Sequence, residues 1–155
     1  MLKKQFIYFL FFIFIISCIN NDIIYKYEKD FFLLMNNEYK ININDLNNHY
    51  VLILGNNSCN SCKEEVLLFY EKKLKLLLNN EKVLILINYS PAKSMISENI
   101  RLIEDQEGIL QEYEINAYNP QILFLKNNKV IFHSYIEKNN FIIIEKFIQT
   151  NLSNH

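Results

Sequence analysis

Apolar residues along this chain follow two periods, and the switches between them mark out its elements. Tyr50-Val51-Leu52-Ile53-Leu54 and Val83-Leu84-Ile85-Leu86-Ile87 are unbroken apolar runs, as expected of strands covered on both faces. Between them the period becomes helical. From Ser61 to Leu78, residues Cys62, Val66, Phe69, Tyr70, Leu74 and Leu77 share one side, with Glu64, Glu71 and Lys75 opposite. Strand, crossover helix and strand at this spacing predict a βαβ unit with parallel strands. Upstream, the run Phe31 to Met35 is followed by Asn36-Asn37 and an alternating Tyr39, Ile41, Ile43, which predicts an N-terminal β-hairpin. Asn44-Asp45-Leu46 then makes a turn.

Downstream of the second strand, residues 89–99 carry little pattern, with Ser90-Pro91 opening a loop or short helix. Arg101-Leu102-Ile103 reads as a small strand, and Glu107 to Tyr113 as a short helix. Ile122 to Leu125 and Val130 to Phe132, on either side of Asn127-Asn128, predict a second hairpin. Phe141 to Leu152 is apolar at 141, 143, 144, 147, 148 and 152, which predicts a terminal helix packed on the sheet. The assembly is an α/β sandwich with a mixed sheet and helices on both faces.

Turn chemistry is unusual. The chain of 155 residues holds two Gly and two Pro, and Asn takes their place. Asn pairs at 20-21, 36-37, 47-48, 56-57, 79-80, 127-128 and 139-140 fall between apolar runs, and Asn tolerates the left-handed backbone region. The length suits one domain. Net charge is −1, with Lys and Glu scattered, which argues against the clustered basic surface that nucleic-acid binding needs.

The N-terminus reads as an address. Lys3 and Lys4 precede an apolar run from Phe6 to Ile16 that ends in Ser17-Cys18, the layout of a secretory signal. The run is shorter than the roughly 20 residues that span a bilayer. Residues 1–17 are therefore assigned as signal peptide, 18–30 as a tether starting at Cys18, and 31–155 as the folded domain. Ile15-Ile16-Ser17-Cys18 resembles a bacterial lipobox, and the resemblance implies cleavage before Cys18 and a diacylglycerol on its sulfur. Two or more acyl chains, at about 0.8 kcal/mol per buried CH₂, anchor a protein stably.

Chemistry concentrates at Ser58-Cys59-Asn60-Ser61-Cys62-Lys63, between the first apolar strand and the helix. A Cys-x-x-Cys in that setting reads as a redox dithiol. At a helix start, unpaired N–H groups and the dipole favour a thiolate on Cys59, with Cys62 one turn deeper. Cys59 is then the attacking nucleophile and Cys62 the resolving thiol. Zinc would need further ligands, and His49, His133 and His155 stand at unsuitable spacing. Haem attachment needs His after the second cysteine, where Lys63 stands. No metal and no cofactor is expected.

The order βαβ, hairpin, helix, with the Cys-x-x-Cys at the first helix, resembles the thioredoxin fold. Three segments resemble the extracytoplasmic TlpA-like thiol–disulfide oxidoreductases: 31–54 as the N-terminal extension, Ile103-Glu104-Asp105-Gln106-Glu107-Gly108-Ile109-Leu110-Gln111-Glu112-Tyr113-Glu114-Ile115 as the D-x-x-G-x-L-A-x-x-Y-x-V segment, and Tyr118-Asn119-Pro120-Gln121-Ile122-Leu123-Phe124-Leu125 as the proline loop. The resemblance implies a three-layer thioredoxin-like sandwich with an N-terminal β-hairpin extension. It also implies a cis Pro120 facing the dithiol, with Asn119 offering main-chain groups to a substrate strand. The chain departs from the family at Ser58, where Trp is usual, at Asn119, where Thr or Val is common, and in strand 51–54, which lacks the buried acid of thioredoxins.

The expected function is a membrane-anchored thiol–disulfide oxidoreductase in the cell envelope, facing the periplasm or exterior. It would be a monomer whose partners are thiol- or disulfide-bearing envelope proteins. The alternative is a binding or structural lipoprotein that keeps the fold and a static disulfide.

Overall fold

The apolar run Tyr50–Leu54 becomes β1, the central strand of a five-stranded mixed sheet. The structure is a computed structural model that describes residues 25–54, 60–74, 83–87, 101–105, 108–115 and 118–152. Val83–Ile87 (β2) pairs with β1 in parallel, from Tyr50↔Val83 to Leu54↔Ile87. Arg101–Glu104 (β3) runs parallel outside β2. On the other side, Gln121–Lys126 (β4) is antiparallel to β1, with Tyr50 opposite Phe124 and Ile53 opposite Gln121. Lys129–Tyr135 (β5) completes the hairpin, giving the order β3-β2-β1-β4-β5.

Alternation along β1 sends its side chains to two separate cores. Tyr50, Leu52 and Leu54 pack with Val66, Phe69, Tyr70 and Leu74, and with Ile144 and Ile148. Those partners come from Asn60–Phe69 (α2), its π-helical continuation Tyr70–Leu74, and Phe141–Leu152 (α4). Phe69 and Phe141 stack with ring centroids 3.9 Å apart, and Lys138 meets Glu65 at 3.5 Å, so α2 and α4 lie side by side. On the opposite face, Val51 and Ile53 pack with Phe31, Leu34 and Met35 of Glu28–Asn37 (α1) and with Leu110 of Ile109–Glu112 (α3). The result is three layers, helices on both sides of a mixed sheet. Among the described residues no helix is long and apolar enough to cross a membrane.

The predicted N-terminal hairpin is wrong. Residues 28–37 form α1, and the following segment is irregular before a 3₁₀ turn at Ile43–Leu46. Phe31, Leu34 and Met35, all fully buried, stand at i, i+3 and i+4, one helical face; Leu and Met also favour helix. The alternation at Tyr39, Ile41 and Ile43 does not produce a strand, because Lys40 takes φ 53° and breaks the extension. The folded part also reaches back to Tyr25, which is buried against the sheet ahead of the expected start at residue 31.

Other expectations hold with small changes. The α2 segment turns π-helical at Tyr70, and its predicted end at Leu78 lies outside the described residues, as do residues 89–99. Asn127 and Asn128 both have positive φ, 52° and 60°, which is the type I′ hairpin turn with Asn in place of Gly. Asn47 Oδ1 accepts from Asn127 N at 2.8 Å, and Asn128 Nδ2 donates to Asn44 Oδ1 at 2.8 Å. These bonds clamp the hairpin tip to the loop before β1. Asn48 also takes positive φ, whereas Asn36 and Asn37 end α1 and Asn139-Asn140 sit in a 3₁₀ turn. The pairs at 20-21, 56-57 and 79-80 lie outside the described residues.

The segment 105–115 acts as one structural device. Asp105, 1% exposed, accepts from the N–H groups of Ile109 at 2.9 Å and Leu110 at 3.1 Å, capping α3. Gly108 holds φ 74° immediately before that helix, a conformation costly for residues with a Cβ. Leu110 and Ile115 are buried, and Tyr113 donates to Glu38 Oε1 at 2.6 Å, tying α3 to the end of α1.

Candidate functional site

The C-terminal ends of β1, β2 and β3 lie at one end of the sheet, since the three run parallel. In sheets of this kind ligands and reactive groups gather there, because the loops and helix starts emerge at that end. α2 begins at Asn60, so Cys62 is its third residue and belongs to the first turn. Cys59 and Cys18 lie outside the described residues. Cys62 thus lies near the start of the helix in the crossover from β1 to the parallel β2.

The chain reaches the same end a second time through β4. Ile53 pairs with Gln121 in the antiparallel register, and one step further brings Pro120 level with Leu54, the last residue of β1. Pro120 is buried and Asn119 is exposed. The Pro120 carbonyl accepts from Ile136 N at 2.8 Å, which pins the loop to the end of β5. The described peptide bonds are all trans, including Asn119–Pro120. The cis proline implied by the family resemblance is therefore not the conformation here.

Behind Pro120 lies a polar cluster that the sequence did not bring out. Gln121 is fully buried at the first position of β4. Its Oε1 accepts from the Tyr25 hydroxyl at 3.4 Å and lies 2.9 Å from His133 Nε2 on β5. Because a carboxamide oxygen can only accept, the His133 contact has the imidazole donating from Nε2, beside the Tyr25 hydroxyl that donates to the same oxygen. The Tyr25 and His133 rings are 4.8 Å apart and those of His133 and Tyr135 5.1 Å apart. Burial lowers the His133 pKa, favouring the neutral ring. Burial raises that of Tyr25, helped by Tyr135, Tyr27 and Asp30, so its hydroxyl stays a donor. The signal for this cluster was one polar residue, Gln121, between a proline and an apolar run, and a His alternating with Phe132; either alone reads as an edge-strand surface position.

β1 carries no acid, as the sequence indicated. The buried polar residues among those described are Asp105 and Gln121. Asp105 is taken up by the α3 cap, and β2 separates β3 from β1. His49 is half-buried and contacts the Asn47 carbonyl at 3.1 Å, a local turn contact; His155 lies outside the described residues. Among the described residues no group of three or more His, Cys, Asp or Glu side chains could hold a metal ion.

Comparison of the chain with family models, with curated proteins and with solved structures gave no match.

Proposed function

We propose that the chain is a thioredoxin-like thiol–disulfide oxidoreductase of the TlpA type, lipid-anchored through Cys18 and exchanging electrons with envelope proteins through Cys59 and Cys62. The observation that carries this reading is the position of Cys62 on the first turn of the helix leaving the central strand, with Pro120 level with that strand's end. The sheet order supports it as well: βαβ, an added parallel edge strand, an antiparallel hairpin and a closing helix follow the thioredoxin plan.

In the direction that reduces a partner, the Cys59 thiolate attacks one sulfur of the partner disulfide. The Cys59–partner bond forms as the partner's S–S bond breaks, and the second partner sulfur leaves as a thiolate. Cys62 then loses its proton and attacks Cys59, releasing the partner as a dithiol and leaving the Cys59–Cys62 disulfide. Two electrons pass to the partner, and run backwards the same steps oxidise it. The dipole at the helix start favours the Cys59 thiolate, and the exposed Asn119 is the surface a substrate strand would meet.

A static disulfide in a binding lipoprotein is the second reading, favoured by the trans Asn119–Pro120 bond and the acid-free β1. Trapping separates the two. Cys62→Ser accumulates mixed disulfides with envelope proteins and Cys59→Ser forms none, with alkylation kinetics placing the Cys59 pKa below about 7.5. A Cys59 pKa near 8.5 with no adducts overturns catalysis in favour of the static reading. Titration against glutathione then fixes the direction of exchange.

A further inference from the structure

We infer that Tyr25, Gln121 and His133 form an acid-released latch: a proton taken up by His133 loosens residues 25–27 from the sheet while the cores stay folded. The inference does not depend on the redox reading. Its observation is a cover. His133 stands half-buried on the edge strand β5, and the Tyr25 ring lies against it with centroids 4.8 Å apart and a 43° tilt. Both side chains donate to one oxygen, Gln121 Oε1, His133 at 2.9 Å and Tyr25 at 3.4 Å. Tyr25 is 2% exposed, whereas the next residue, Lys26, is exposed. Lifting Tyr25 therefore returns the imidazole to water and breaks the longer of the two bonds. The opening is local, because α1 itself is seated in the core by Phe31, Leu34 and Met35.

Charge on the ring favours that opening. The neutral imidazole suits a covered place, and burial is what disfavours its protonation there. A charged ring is better hydrated with Tyr25 away, so acid favours every state that uncovers His133. The charged ring also tightens its own bond to Gln121, which leaves Tyr25 the weaker hold on the shared oxygen. The groups facing the ring do not reverse this. β4 offers the Gln121 carboxamide, and β5 offers Tyr135, edge-on with centroids 5.1 Å apart. Beyond Tyr25 stands Tyr27, with Lys26 Nζ 5.2 Å from its ring centroid. Tyrosine faces attract a cation, but neither Tyr25 nor Tyr135 lies flat on the imidazole. On α1, the Glu28 carboxylate accepts from Val130 N at 3.3 Å, and the Asp30 charge acts on the Tyr25 hydroxyl. Neither acid is bonded to His133.

The test follows hydrogen exchange in the full-length protein at the amides of Glu28 and Phe31, which donate to the Tyr25 and Tyr27 carbonyls at 3.0 and 2.8 Å. Rates are corrected for the intrinsic pH dependence of exchange. Between pH 7.5 and 5.5 the opening of these amides should rise by up to about tenfold, the most that a histidine of ordinary pKa, once uncovered, supplies over that range. They should stay less protected than Val51 and Ile53 throughout, since the sheet remains closed. His133→Gln keeps a donor for Gln121 and should abolish the rise. A rise under about twofold, or opening only together with β1, overturns the inference. Reciprocity gives a second readout. Followed by NMR, His133 should titrate nearer its ordinary 6.5 in Tyr25→Ala than in the wild type, and the same midpoint in both overturns the latch. If Tyr25→Ala does not fold, the exchange measurement on the wild type decides alone.

Discussion

Gln121 Oε1 lies 2.9 Å from His133 Nε2 and also accepts from Tyr25. One buried carboxamide oxygen thus joins the chain's entry point, the start of β4 and the edge strand, directly after Pro120. Replacing it by Leu strands two donors in a region with little water. Gln121→Leu should lower stability by about 2–3 kcal/mol, the cost of leaving buried polar groups unpaired, read as a drop in urea midpoint with unchanged slope. An effect under about 0.5 kcal/mol would mean that water replaces the carboxamide.

Burial of His133 makes stability depend on pH. The folded-state pKa of His133 lies below its ordinary value of 6.5 because burial disfavours the charged ring. On acidification through 6.5 the unfolded chain takes up a proton before the folded one does. The unfolded state thus binds more protons in that window, and unfolding free energy falls as pH drops. His133→Gln should flatten this part of the profile relative to wild type. Denaturation midpoints of both proteins at several pH values between 7.5 and 5 check it; parallel profiles would remove His133 from the account.

At the far edge of the sheet, Asp105 and Gly108 form a cap whose parts can be tested separately. Asp105→Ala removes two charge-assisted bonds to the α3 N–H groups and should cost about 1–3 kcal/mol. Gly108→Ala meets no atom within 4 Å of the added Cβ, so its cost is backbone strain at positive φ, about 1–2 kcal/mol. Gly108→Asn should cost less than Gly108→Ala, because Asn tolerates that region better. Thermal midpoints that rank Asn below Ala would contradict the strain argument.

The turn Asn127–Asn128 allows the reverse substitution, from Asn to Gly. Both residues sit in the left-handed region, where Gly carries no Cβ penalty. The Asn128 side chain bonds Asn44, whereas Asn127 uses its backbone N–H to meet Asn47. Asn127→Gly should therefore be close to neutral, while Asn127→Val should destabilise by about 1–2 kcal/mol. Asn128→Gly loses a side-chain bond and should fall between them. Chemical denaturation of the three variants tests the ranking.

These features show where pattern sufficed and where it did not. Strands buried on both faces, such as Tyr50–Leu54 and Val83–Ile87, are legible because continuous apolar runs have few other uses, and the Asn127-Asn128 turn is legible because it needs positive φ. The segment 28–37 was not legible. Phe31-Phe32-Leu33-Leu34-Met35 is apolar throughout, so helix and strand fit the run equally well, and tertiary packing against β1 decides between them. At the site, the spacing of Cys59 and Cys62 announces itself within six residues. The contacts of Tyr25 with Gln121 and His133 join positions about a hundred residues apart, and no local pattern encodes such a meeting.

The sheet order has a last consequence, for solubility. Its two rims differ. β3 is four residues long with Arg101 and Glu104 at its ends, a short and charged rim of the kind that resists pairing with another chain. β5 is seven residues long, has β4 as its strand neighbour among the described residues, and bears a single Lys at its start with Ile131 outward. Such a rim is a template for edge-to-edge association whenever chains are concentrated or partly folded. Losses on refolding should therefore grow with protein concentration and shrink in Ile131→Lys, as light scattering would register.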